Sequence, residues 1–202
     1  MRIGIDIDDT TFLTVKSMLK YADKYEEEIS GIPTNRDSFG LIKDRYYLRV
    51  LYGWDDKTKF AFFDKYYKNV LEECTMLPGA DKTIQKLKSE GDEIYFITAR
   101  LMNIKDCDTE GITKRSLEKF NIPYDKLYLH ISDKLTFFKE NEIDLCIEDS
   151  FDTCRQLTDN GIKSILMTTK MNASIDSTGI TRVNNWDEIY NEIEKYKSER
   201  GN

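Results

Sequence analysis

Three carboxylates, Asp6, Asp8 and Asp9, arrive within the run DIDDT, and a second acidic pair, Glu148-Asp149, follows the apolar run IDLCI. If the backbone stays extended across Asp6-Ile7-Asp8, both acidic side chains point the same way. Carboxylates crowded together repel, and a hard divalent cation relieves that repulsion. Magnesium takes oxygen ligands and keeps several waters beside one or two carboxylates. Asp6 and Asp149 are the natural pair of side-chain ligands for it. An isolated Asp-x-Asp is usually a solvated turn. A second acidic pair at the end of another apolar strand argues against that here.

Thr98, at the end of EIYFIT, and Lys134, in Ser132-Asp133-Lys134, bring complementary chemistry. A phosphoryl group spreads negative charge over its oxygens during transfer, and donors and cations stabilise that charge. Taken singly these residues mean little. Lys134 alone would be a surface lysine, Thr98 a strand-end cap and Arg100 a structural ion pair.

Short β-branched runs and amphipathic stretches must position these groups. Strands are expected over Arg2–Ile7, Glu93–Thr98, Lys126–Ile131, Ile143–Ile147 and Lys163–Met167. Helices are expected over Asp81–Ser89, Thr109–Phe120, Asp133–Asn141, Phe151–Asn160 and Trp186–Ser198. The final SERGN is expected to fray. Alternating units of this size imply an α/β fold, doubly wound, with a mostly parallel sheet. In such a sheet ligands bind beyond the carboxyl ends of the strands, where each of these polar groups falls. Residues from about 12 to 76 differ in texture. They are rich in Lys, Glu, Tyr and Phe, and are broken at Gly31-Ile32-Pro33 and Gly53. The expected organisation is therefore a core of residues 1–11 and 77–202, with a helical insertion over 12–76.

Composition narrows the function. The 202 residues carry a formal net charge of -7, with 40% hydrophobic and 33% charged residues. That argues against a protein coating a nucleic-acid polymer and against docking on an anionic membrane. A small phosphorylated partner remains open, since one metal or a few local cations reverse the field in a cleft. Four cysteines without a Cys-x-x-Cys pair read as free thiols in a reducing compartment, and no signal-like or membrane-length apolar run occurs. The expected location is cytoplasmic. A single histidine, His130, speaks against zinc chemistry and a Ser-His-Asp triad.

DIDDT, the strand ending in Thr98, Lys134 and Glu148-Asp149 resemble, in order and placement, the four motifs of the haloacid dehalogenase (HAD) superfamily of phosphatases. The resemblance spans residues 1 to about 170 and implies a Rossmann-like core. The insertion after the first strand is similar to that superfamily's first type of cap domain. LPGADKTIQKLKSEGDEIYFITAR, TKRSLEKFNIPYDKLYL and DLCIEDS resemble the C-type 5′-nucleotidase family, which includes the 5′(3′)-deoxyribonucleotidases, its bacterial members above all. The resemblance implies that Asp6 is a nucleophile forming an aspartyl-phosphate. It implies that Asp8 is general acid and then base, with its backbone carbonyl on the metal. Thr98 and Lys134 would hold phosphoryl oxygens, Asp149 would bind Mg2+ and Glu148 would support it. One departure is Glu148-Asp149 where a pair of aspartates is common.

The resemblance implies a small phosphate monoester as substrate, with a (deoxy)nucleoside monophosphate the best guess. Alternatives are a sugar phosphate, a phosphotransferase or phosphonatase, or a non-catalytic binding protein on the same scaffold. The intact set of acids, Thr98 and Lys134 counts against the last. Of the aromatics in the insertion, most are expected to be core. Phe60, Phe63 and Tyr67 fall on one helical face. Phe12 and Arg100 are expected to be nearest the substrate. Arg45 and Arg49 could reach a substrate anion but read more readily as a solvated face. The oligomeric state is left open, a homodimer included.

Overall fold

A computed structural model of the chain describes residues 1–32, 42 and 46–200. The order of elements is β1 (Arg2–Ile5), α1 (Thr14–Ser30), α2 (Tyr47–Tyr52), α3 (Asp56–Glu72), α4 (Ala80–Ser89) and β2 (Glu93–Ile97). There follow α5 (Thr109–Lys119), β3 (Lys126–Tyr128), α6 (Lys134–Glu140), β4 (Leu145–Glu148), α7 (Phe151–Asp159), β5 (Lys163–Met167), β6 (Thr181–Val183) and α8 (Trp186–Arg200). The strands form one sheet in the order β3-β2-β1-β4-β5-β6. Every pairing in it is parallel. This is the doubly wound order whose strand succession reverses between β1 and β4, the place where such sheets bind ligands.

Alternate side chains of the strands go to opposite faces, as the period of two requires. Ile3, Ile5, Ile94, Phe96, Leu145 and Ile147 join Ile84, Leu87, Trp186 and Ile189 in the larger cluster beneath α4 and α8. Tyr95, Ile97 and Cys146 face the other way, onto Phe138 of α6 and Leu157 of α7. Gly4 is what lets α6 lie so close. A Cβ at that position would stand 2.5 Å from Cζ of the buried Phe138.

Between β1 and β2, helices α1, α2 and α3 pack around Tyr21, Tyr25, Trp54, Phe62, Tyr66 and Val70, a cluster that Ile112 of α5 also joins. Asp55 caps α3 by accepting from Thr58 N at 2.8 Å. Gly31 and Gly53 close α1 and α2 in the left-handed conformation. The stem of these helices is pinned where it meets the sheet. Leu13 N donates to Thr75 O, and Leu77 N donates to Thr11 O.

Several expectations need adjustment. The buried face of α3 takes in Tyr67 as expected, with Phe63 packed against it, but it is centred on Phe62, Tyr66 and Val70, and Phe60 is 52% exposed. Helix α1 packs along this side of α3 through Tyr21 and Tyr25. Strand β4 starts two residues later than expected and takes in Glu148. A sixth, short strand, β6, carries no alternating run long enough to be read. Helix α8 continues through Arg200, whose guanidinium reaches Asp144 at 2.7 Å. The cysteines are free. Pro33, Phe39 and Arg45 lie outside the described residues. Among the described residues no helix is long and apolar enough to cross a membrane.

Candidate active site

Register places the acids side by side. Ile5 pairs with Ile147, so Asp6 emerges next to Glu148, and Asp6 N donates to Ile147 O at 2.9 Å. The loop that follows is held from several directions. Thr11 Oγ1 donates to Asp6 O at 2.8 Å, and Trp186 Nε1 donates to Thr10 O at 3.0 Å. Asp9 takes a left-handed backbone, φ 55°, and both its carboxylate oxygens accept from Val15 N. The last acid of the cluster thus ties the loop to the first turn of α1.

Lys134 is the cation at the centre. Asp133 caps α6 by accepting from Thr136 N, and Lys134, the first residue of that helix, turns inward. Its Nζ lies 2.5 Å from both Asp6 Oδ1 and Glu148 Oε2. All three side chains are buried. Carboxylate oxygens of Asp6, Glu148 and Asp149 lie within 4.8 Å of one another. Burial, then the Glu148 charge, pushes Asp6 up to about 8, against the pull of Lys134. Burial and Glu148 likewise push Asp149 well above the usual carboxylate range. Burial works to lower Lys134, but Asp6 and Glu148 hold it up, so it stays charged. Three acids thus share one ammonium, and burial first, with the Glu148 charge second, keeps Asp6 and Asp149 raised. An oxygen-rich, over-acidic cluster of this kind fits a hard divalent cation.

Asp8 points elsewhere. Its Oδ1 accepts from Arg100 Nη2 at 2.8 Å, Arg100 Nε at 3.0 Å and Thr14 Oγ1 at 2.6 Å. Thr98 Oγ1 donates to its other oxygen at 3.4 Å. Burial works to raise Asp8, but Arg100 overrides it and holds the carboxyl below its ordinary value. Arg100 in turn donates to Thr113 Oγ1 at 2.8 Å. It is 3% exposed and turned to Asp8, which corrects the expectation that it meets a substrate. Phe12 is corrected too. It is 1% exposed and packs edge-on against Phe120 in the sheet core. An apolar residue just behind an acidic loop reads equally as a wall or as the anchor of the loop, and here it is the anchor.

A cleft of about 340 Å³ brings together Asp6, Asp8, Thr98, Lys134, Glu148 and Asp149. Tyr47, from α2, also lines it, and is its sole described aromatic. Arg49 is exposed and does not line it. Nothing in the sequence sets Tyr47 apart from the other aromatics of the insertion, because only the packing of α2 decides which ring faces inward. Thr14 was equally silent, although it follows Asp8 at a spacing that allows a loop contact. An apolar recess of about 350 Å³, walled by Leu13, Val15, Leu77 and Met171, adjoins the cleft and shares Asp9, Val15 and Met171 with it.

Residues 2–198 match the family described as 5′ nucleotidase, deoxy (pyrimidine), cytosolic type C. The chain belongs to this family. A nucleotidase of Clostridium acetobutylicum is 28% identical to this C-type nucleotidase chain over 196 residues, 96% of this chain and 94% of that one. Among solved structures, a haloacid dehalogenase-like family hydrolase of Streptococcus pneumoniae superposes with a TM-score of 0.62 at 13% identity. The match covers 95% of this chain and 97% of that one. YfnB of Bacillus subtilis, solved bound to magnesium, gives 0.63 at 16% identity, covering 96% and 98%. These likenesses fix the fold as the HAD Rossmann-like one. This C-type nucleotidase family member is accordingly a phosphoric monoester hydrolase.

Proposed function

We propose that the protein is a magnesium-dependent nucleotidase that cleaves small phosphate monoesters, (deoxy)nucleoside monophosphates above all, through a phosphorylated Asp6. The observation that carries this reading is the Lys134 ammonium bridging Asp6 and Glu148, with Asp149 and Asp8 in the same cleft. A carboxylate nucleophile, a charged donor and an acid/base group then surround one phosphate-sized space.

In this scheme an Asp6 carboxylate oxygen attacks phosphorus, and the bond from phosphorus to the ester oxygen breaks. Asp8 gives the departing alkoxide a proton. Asp8 then takes a proton from water as that water attacks the phosphorus of phospho-Asp6. Phosphate leaves and the Asp6 carboxylate is restored. Lys134 and Thr98 hold the phosphoryl oxygens where charge builds up. Asp6 and Asp149, with the Asp8 backbone carbonyl, would hold Mg2+, which supplies positive charge that keeps the acids ionised and offsets the charge on the phosphoryl group. Glu148 supports this set by accepting from Asp149 N and Ser150 N while it binds Lys134. Helices α1 to α3 act as a cap that shields the cleft and shapes it for the leaving group.

Tyr47 and the apolar recess support a leaving group with a flat apolar part, as a nucleobase has. Thr168, Thr169 and Lys170 also line the recess and suit a sugar phosphate, which is the second reading. The test is phosphate release from ribo- and deoxynucleoside 5′- and 3′-monophosphates, sugar phosphates and an aryl phosphate, with Mg2+ or chelator. Mg2+-dependent release led by nucleotides is the expected result. A sugar phosphate turned over best would remove the nucleotide reading and keep the chemistry. No release from any ester would favour a binding role on the same scaffold.

A further inference from the structure

We propose that Asn172, in the loop after β5, is the positioning residue that holds Asp149 in place as a cation ligand. The inference rests on the reading above that Asp149 takes Mg2+.

Asn172 is 2% exposed. Its Nδ2 donates to Asp149 O and to Met167 O, both at 2.8 Å. Its Oδ1 accepts from Thr169 N at 3.1 Å and from Arg182 Nη1 at 2.7 Å. Two donors and two acceptor sites are thus all used. The partners also fix which way the amide points. Turned over, its oxygen would face two carbonyl oxygens and its NH2 would face an N–H and a guanidinium.

Asp149 needs such a hold. It stands between the end of β4 and the start of α7, outside both. Its carboxylate is crowded against those of Asp6 and Glu148, which repel it. Its peptide N–H is fixed by Glu148 Oε1 at 3.1 Å, and its carbonyl by Asn172. With both sides of the residue anchored, the carboxylate stays in the cluster even while the three charges oppose one another. Arg182 carries the anchor outward. It donates to Asn172 O at 3.2 Å, Ile175 O at 3.0 Å and Ser177 Oγ at 2.9 Å. The small outer strand β6 is in this way connected to the metal loop. Met171, the neighbour of Asn172, walls the cleft, so the same anchor steadies that wall.

The informative variant is Asn172→Asp in the full chain. Its carboxylate still accepts from Thr169 N and gains an ion pair with Arg182, so the loop keeps its anchor. It sets an oxygen against the carbonyls of Asp149 and Met167, so both of those links are lost while the Thr169 and Arg182 links remain. Added negative charge would, if anything, draw Mg2+ closer, so weaker binding could not come from charge. Calorimetric titration with Mg2+ and melting in chelator are run on wild type, Asn172→Asp, Asn172→Ala and Arg182→Met. The expected result is Mg2+ affinity reduced about 10- to 100-fold in both Asn172 variants. The Asp variant, which keeps the Thr169 and Arg182 links, should melt above Asn172→Ala, and turnover should recover at high Mg2+. Arg182→Met should lower the melting temperature and leave Mg2+ affinity the less affected. Wild-type Mg2+ affinity in Asn172→Asp would overturn the inference, even if Asn172→Ala failed to fold. A wild-type protein that binds no divalent cation would overturn the Mg2+ reading as well.

Discussion

At Asp8 burial and charge pull in opposite directions, and Arg100 decides the outcome. The resting carboxyl is ionised, so the proton it gives the departing alkoxide is taken up first, as the negative charge of the bound phosphate raises its affinity for one. The limb of the kcat/KM profile that falls as pH rises should therefore belong to Asp8, whose protonated form serves the leaving group. Arg100→Met removes the charge that depresses it, so that limb should move to higher pH. A limb that stays in place would mean that another group titrates. Tyr47 offers a second test at this scale. Tyr47→Ala should cost about tenfold or more in kcat/KM for nucleotides relative to a small aryl phosphate, the magnitude of base–aromatic stacking. Equal losses on both esters would remove Tyr47 from leaving-group recognition. The acids, Thr98 and Lys134 were legible because strand ends of a doubly wound sheet converge on one rim. Phe12 and Arg100 were misplaced because sequence distance from the acids does not say whether a side chain faces the cleft or the core.

At the scale of elements, placement of the site depends on how closely α6 lies on β1, since α6 brings Lys134 to Asp6. Gly4→Ala puts a methyl into the Phe138 ring and must displace it or the helix. Overpacking of this sort costs about 1–3 kcal/mol, and it should lower turnover along with stability because Lys134 moves with the helix. Thermal melts and assays on the one variant check both. Unchanged values would show that the ring has room to turn. The long alternating and apolar runs made β1, β2, β4 and β5 readable. Strand β6 has only three residues, and the inward stripe of α3 depends on a partner helix that the local sequence does not identify. Propensity was silent on both, and tertiary packing decided them.

For the whole molecule, protons and the cation compete for one cluster. Burial raises Asp6 and Asp149, so the folded protein in chelator binds protons that the unfolded chain releases near pH 4. The stability contribution of these groups is therefore greatest in acid, and it falls as pH climbs through about 8, the value for Asp6. Mg2+ must displace those protons, so its affinity should rise with pH over this range and its binding should release protons. Melting with Mg2+ at about 100 times its Kd should show stabilisation of about 2.7 kcal/mol, with the required Mg2+ falling from pH 6 to pH 8. Calorimetry in two buffers of different ionisation enthalpy counts the protons. Affinity that does not change with pH would mean that the cation sits away from these acids.

The most direct test of the account is to look for the phosphoryl group on Asp6. Asp8→Asn protein is mixed with an aryl phosphate radiolabelled at phosphorus, whose phenolate leaves without a proton from Asp8, and Mg2+, then quenched in acid, digested and mapped. The account predicts a hydroxylamine-labile label on the N-terminal peptide at Asp6, absent with chelator and absent in Asp6→Asn. Full Mg2+-dependent turnover by Asp6→Asn, or label on another residue, would contradict it.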